Sequence, residues 1–205
     1  MRSTRSTNRY TLIAIILHWV MGLGIGALVV IGLVMTHLKL DPMRSFRLYQ
    51  LHKSIGITIL LAALVRLAWR LMHRPPELPA AMPAIERKAA YGGHLVLYIF
   101  LFALPSTGWA LVSASVFDIP TVLYGIVPWP HLPILSTLAD KQPVEDLLKA
   151  VHAYAAWAFI ALVAVHAAAA LRHHFIIGDD VLLRMLPGHR RKPSAQPART
   201  EGPAS

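Results

Sequence analysis

The chain has 205 residues, 56% of them hydrophobic and only 15% charged, against about 25% charged in an average soluble domain, so a bilayer rather than water is its natural solvent. The net charge of +10 does not describe a nucleic-acid surface, because the basic residues flank apolar stretches of spanning length instead of collecting on one amphipathic element. There is no cysteine, which excludes disulfides, iron–sulfur clusters, c-type haem attachment and thiolate zinc sites, and leaves 11 histidines as the metal ligands to weigh.

Four segments are long and apolar enough to cross a hydrocarbon core, which takes about 20 helical residues. The N-terminus, MRSTRSTNRYTLIAIILHW, begins like a signal peptide, but its apolar stretch runs on to Met35 without a small-residue cleavage site and is read as a retained first helix, 12–36. The second segment covers 47–71 and is closed by the proline-rich turn HRPPELPAAMP, which cannot continue a helix. The third covers 91–115. A connection of about 30 residues follows, with Pro120, Pro128, Pro130, Pro133 and Pro143, long enough to cap one face of the membrane. The fourth segment covers 147–173, and the polar tail 189–205 is expected to be disordered. The fold class predicted is an all-α integral membrane four-helix bundle.

Lys and Arg give the orientation. The N-terminal tail, the second connection with Arg66 and Arg70 beside it, and the C-terminal tail hold 14 of the 20, so the positive-inside rule places both termini in the cytoplasm. Helices one and three then run outward, and two and four inward.

A histidine inside a spanning segment is expensive and is a functional hypothesis by default. Five qualify: His18, His52, His94, His152 and His166. The topology sets His18 and His166 toward the cytoplasm and His52 and His152 toward the outside, one pair per leaflet, with each pair drawn from two helices. His152 and His166 are 14 residues apart, which at about 100° per residue falls within about 40° of four full turns. They therefore share one helix face, about 21 Å apart along the axis. One turn beyond each paired histidine stands a small residue, Gly22, Gly56, Ala156 and Ala170, as a flat macrocycle against a helix requires. His94 is followed there by Tyr98 and fits the ligand role less well; a quinone or propionate contact is its functional alternative. Ligands that come two by two in an apolar bundle suit six-coordinate haem, whereas zinc or copper wants three or four converging ligands.

Arg66 lies 14 residues after His52, on the same face but at the depth of the inner pair, where a haem propionate would supply the anion it needs; the bland alternative is that it snorkels to the interface beside Arg70. His37, His73, His131 and His189 read as solvated or interfacial. His173 and His174 stand where helix four meets the cytoplasm, interfacial by default, with a quinone or proton role as the alternative. Trp19, Trp69 and Trp109 are either interfacial anchors or haem-lining residues.

LHW in helix one, LHKSIG opening helix two, GHLVLYIFLFALPSTGW in helix three, and KAVHAYAAW, HAAAALRHHF and LLRMLPG in helix four resemble the bacterial cytochrome b561 family over roughly residues 8–188. The same core is similar to the cytochrome b subunits of formate dehydrogenases and nickel–iron hydrogenases. The resemblance implies two haems b, one held by His18 and His166 and the other by His52 and His152, in a di-haem domain spanning 1–188. It further implies a quinone-linked oxidoreductase of the inner membrane, with ubiquinone as acceptor and superoxide oxidised at the outer face in some members. Arg44, Arg47, Lys53 and Lys149 would draw a small anion to that face. The long basic tail and the 116–146 connection depart from the family pattern. Two functions stay open: a self-contained enzyme taking electrons from superoxide or another small reductant, and a membrane-anchor subunit receiving them from a periplasmic redox partner. A transporter or proton channel is disfavoured, since the spans hold no Asp or Glu and no inverted repeat.

Overall fold

The computed structural model describes residues 9–79 and 82–188, so the expectation for the tail after Gly188 lies outside the described residues. In chain order the elements are α1 (Leu12–His37), α2 (Pro42–Met72), α3 (Ala84–Ser113), a two-stranded antiparallel hairpin of β1 (Thr121–Leu123) and β2 (Val127–Trp129), a single turn α4 (Pro133–Ser136) and α5 (Gln142–Arg172). A π-helical turn, His173–Ile177, extends α5, and a short 3-10 turn, Leu183–Met185, follows. The four long helices are each long and apolar enough to cross a membrane. They form the membrane four-helix bundle the sequence predicts.

The helices outrun the apolar stretches that announce them. The first turn of α2 lies outside the apolar run, but Asp41 caps it by accepting the Arg44 N–H at 3.0 Å, with Pro42 at the first helical position. Likewise α3 starts directly after Pro83, and α5 carries Pro143 in its first turn. Gly178, at φ 74°, closes the π turn in the left-handed region.

α1 packs on α2, α2 on α3, and α3 on α5. Neither α1 with α5 nor α2 with α5 is among the closely packed pairs of the described residues. Met21, Ile59 and Ala63 form a small buried cluster with Ile25, Leu28, Leu101 and Phe102 around it, midway along α1, α2 and α3. On the other side Phe159, buried and stacked on Phe100 at 5.5 Å, lies midway between His152 and His166. An apolar layer thus divides the interior into two levels. Large apolar side chains such as Leu23, Leu64, Leu95 and Val165 are exposed along the outer faces, where lipid is the matching solvent.

Both described ends of the chain meet at one end of the bundle. Trp19 Nε1–H donates to Met185 O at 2.7 Å, Arg9 donates to Leu186 O, and Arg184 donates to Glu77 O in the second connection. The first and third connections occupy the opposite end. There β1 lies against α2, and Ser54, fully buried, donates to Gln50 O at 2.7 Å while accepting the Tyr124 N–H at 2.9 Å. Tyr124 is held at φ 52°, a costly conformation for a side-chain-bearing residue. Ser54→Ala should therefore lower stability by about 1–3 kcal/mol through the orphaned Tyr124 N–H. A thermal melt of the purified protein reads it, and an unchanged midpoint would contradict this role.

Candidate functional site

The bundle brings the membrane histidines together as their depths predict. At the end bearing the termini, the His18 and His166 rings lie 6.3 Å apart, centre to centre, with planes at 72°. At the hairpin end His52 and His152 lie 6.4 Å apart at 76°. Each pair joins a helix to α5 although the two helices are not closely packed. A metal–imidazole bond of about 2.0 Å, with about 1.1 Å from ring nitrogen to ring centre, puts two coaxial ligand rings about 6.2 Å apart. Rotation about that axis leaves the angle between the planes free, so both pairs have the spacing of two imidazoles facing one metal ion.

His94 is also drawn in, with its ring 5.7 Å from that of His166, so His18, His94 and His166 form a cluster of three imidazoles. The His94–His166 spacing is too short for coaxial ligation of one ion, whereas the His18–His166 spacing fits. Arg66 is at the depth its position suggested: it donates to Ala14 O at 3.1 Å and comes within 3.5 Å of His18 Nδ1. The first is a sound hydrogen bond, the second only a near approach. Arg66 also lines a basic cavity with Trp69, Arg70, His73 and Tyr98, and the Trp69 ring stacks on His73 at 3.9 Å.

The surroundings of the pairs fit a flat, iron-bearing ring. A Cβ added at Gly22 or Gly56, one turn beyond His18 and His52, would meet nothing within 4 Å, so both positions border open space. His52 Nδ1 is buried without a hydrogen-bond partner among the described residues. Two glycines that spacing alone did not reveal back the rings of the hairpin-end pair from neighbouring helices. A Cβ on Gly32 of α1 would reach His52 Cε1 at 3.6 Å, and one on Gly108 of α3 would reach His152 Cε1 at 3.1 Å.

Thr107 is a candidate site residue that spacing along the sequence does not reveal. Its hydroxyl donates to Leu104 O at 2.7 Å, which leaves its oxygen to accept, and His152 Nδ1 stands 2.9 Å away. The hydroxyl proton being committed, His152 must donate its Nδ1–H. That tautomer leaves the Nε2 lone pair toward His52, as a metal-ligating histidine fixed by a neighbouring acceptor requires. Pro105, which removes an N–H from the α3 ladder, marks the same turn.

His173 is less exposed than an interfacial residue would be, its side chain 12% accessible. Its Nδ1 bonds Asp179 Oδ2 at 2.6 Å and its Nε2 lies 3.9 Å from Glu86 Oε2, while the other oxygen of that carboxylate, Oε1, pairs with Arg172 at 3.2 Å. His131, read as solvated or interfacial, is instead largely buried under the hairpin.

Residues 9–188 match the family described as prokaryotic cytochrome b561. The chain is 35% identical to cytochrome b561 homolog 2 of Escherichia coli strain K12 over 187 residues, covering 91% of this chain and 95% of that protein. It is 31% identical to a probable superoxide oxidase, CybB, of Yersinia pestis, covering 89% of this chain and 98% of that one. Against cytochrome b561 homolog 1 of Escherichia coli strain K12 the identity is 30%, over 90% of this chain and 99% of the other. With four spanning helices and a match over nearly its whole described length, the chain belongs to the prokaryotic cytochrome b561 family of haem b proteins that transfer electrons in bacterial membranes.

Proposed function

We propose that this membrane cytochrome holds two haems b, one between His18 and His166 and the other between His52 and His152, and carries electrons from superoxide outside the inner membrane to ubiquinone. The carrying observation is the pair of imidazole–imidazole spacings, 6.3 and 6.4 Å, at two levels of one bundle. When bound, the haems supply one-electron redox chemistry between ferric and ferrous iron. The chain's own residues do the rest. Thr107 fixes the His152 tautomer, the Gly32 and Gly108 backbones hold the ring orientations, and the layer around Met21, Ile59 and Phe159 keeps water from the space between levels. Arg66 supplies a cation beside His18, where a haem propionate would be its counter-ion.

In this reading the end bearing the termini faces the cytoplasm, as the excess of Lys and Arg there directs. The hairpin end then faces the periplasm, with Arg47 and Lys149 near its mouth, Lys53 reaching toward Pro120 O at 3.5 Å and Arg44 paired with Asp41 at 3.0 Å. Two superoxide anions each lose one electron to become O2, and one ubiquinone takes up both electrons with two protons. His94 and His173 lie toward the cytoplasmic end of that path. The His173–Asp179 pair, with Glu86 beyond it, is placed to hand on the protons that quinone reduction consumes.

A second reading, an anchor subunit for a periplasmic dehydrogenase, draws on one observation: Phe117, Ile126 and Ile134 are all more than three-quarters exposed on the third connection. Mixing the purified chain with superoxide and a short-chain ubiquinone analogue separates the two. Quinol formation by the chain alone is expected. If quinol appears only after a periplasmic partner is added, the anchor reading replaces the first.

A further inference from the structure

The connection between α3 and α5 is fastened on three sides. To α2, Gln50 Nε2–H donates to Pro120 O at 3.0 Å, Ser54 takes the Tyr124 N–H, and the Tyr124 hydroxyl bonds Thr58 at 2.8 Å. To α3, Trp109 Nε1–H donates to Pro130 O and the Leu132 N–H donates to Ser113 Oγ, both at 2.9 Å. To α5, Lys141 pairs with Asp118 at 3.2 Å and the Val116 N–H donates to Glu145 at 2.7 Å. Asp118 and Tyr124 are both held at positive φ, 50° and 52°. A connection pinned this firmly does more than join two helices.

Between its anchor points it carries two buried nitrogen atoms that meet no hydrogen-bond partner among the described residues, Trp129 Nε1 and His131 Nε2. An indole N–H can only donate, so it calls for an acceptor. Buried polar atoms left unpaired by the protein point to a group that is not protein. His131 Nδ1 lies 3.6 Å from Asp118, beyond hydrogen-bond range, so the ring N–H is free to sit on the buried Nε2 and donate from there.

Both residues are linked through α3 to the helix turn that backs the His152 ring. The backbone of Gly108 abuts the His152 ring, Trp109 is the next residue, and its ring lies 5.5 Å from that of Trp129. Leu132, adjacent to His131, is tied to Ser113 one turn further along α3. We infer that the strap from Pro120 to Leu132 forms the rim of the outer cofactor site, with Trp129 Nε1 and His131 Nε2 donating hydrogen bonds to a carboxylate of the bound group. This rests on the reading that His52 and His152 hold a haem b, whose only anionic side groups are its two propionates. The strap's pinning to all three neighbouring helices fixes the two donors relative to both ligands. Its role is thus to set the charge at the edge of the outer haem, independently of the iron ligands.

The test is a potentiometric titration of the full-length holoprotein, followed optically, for wild type and for Trp129→Phe, His131→Asn and the double variant. Tyr154→Phe, an exposed aromatic on α5 outside the strap, serves as control. Loss of the donors leaves the propionate charge less compensated and favours ferric iron. The outer haem, identified as the one missing from His152→Ala, should move to lower potential in each strap variant and furthest in the double. The inner haem and the control should not move. A resonance Raman propionate-bending band should shift in the same variants, so a variant recovered in low yield still gives a readout. Both haems retained with unmoved potentials and an unmoved band would overturn the inference alone. A wild-type protein in which His152→Ala removes no haem would overturn the inference together with the reading beneath it.

Discussion

His152→Ala should leave a folded, membrane-inserted protein that keeps one haem where the wild type keeps about two. His152 and His52 face each other at the hairpin end, and His37, the last residue of α1, is turned to its own Leu33 carbonyl at 3.1 Å, so no neighbouring histidine is set to replace it. The rise of α5 places His166 about 21 Å away, and its pairing with His18 needs nothing from His152. A pyridine haemochrome assay on purified protein gives the ratio, and reduced-minus-oxidised spectra show which band is lost. At the other level the result should be less clean. His166→Ala leaves His18 and His94 in the same cluster, and partial haem retention is expected. Retention of two haems by His152→Ala would remove this histidine from the ligand set. So would loss of both, which would make it a determinant of the whole fold.

Thr107→Val should weaken the outer haem by about 10–100-fold, the usual cost of deleting a group that orients a metal-ligating histidine. Valine keeps the branched shape and removes the oxygen that accepts from His152 Nδ1 at 2.9 Å. Without that acceptor the imidazole is freer to turn or to take the other tautomer, in which Nε2 no longer offers a lone pair. Transfer of haem to a high-affinity apo-globin would measure the loss. Thr107→Ser, which restores the acceptor, should recover most of it. Equal transfer rates for wild type and valine variant would show that ring packing against Gly108 alone sets the orientation.

The spans and the histidine levels were readable because both follow from local rules: apolar length for the first, and helical period combined with chain direction for the second. The helix starts were not. Residues 42–46, 84–90 and 142–146 are helical in polar surroundings, held by Asp41, by the placement of Pro42, Pro83 and Pro143, and by contacts beyond the bilayer core. Apolar length is blind to such turns, although the Asp-Pro step at 41 announces one.

The hairpin escaped notice for a different reason. Its strands are three residues each and one contains Pro128, so neither shows alternation, and its stability lies in bonds to α2 and α3. Thr107, Gly32 and Gly108 were visible as residues but not as partners. Which helix faces which ring is a tertiary fact that no spacing within one segment contains. His94 shows the limit of the small-neighbour rule. Tyr98 one turn on disfavours a ligand, yet the helix still delivers the imidazole to the inner cluster.

The packing order α1, α2, α3, α5 also has a bearing on how the protein is made. α2 and α3 can each settle against the helix before it as it leaves the translocation machinery, whereas α5 brings His152 and His166 last and leans chiefly on α3. A nascent chain halted before Gln142 would own one half of every imidazole couple and none complete. On the proposed ligand set, neither haem site could be completed before α5 has docked.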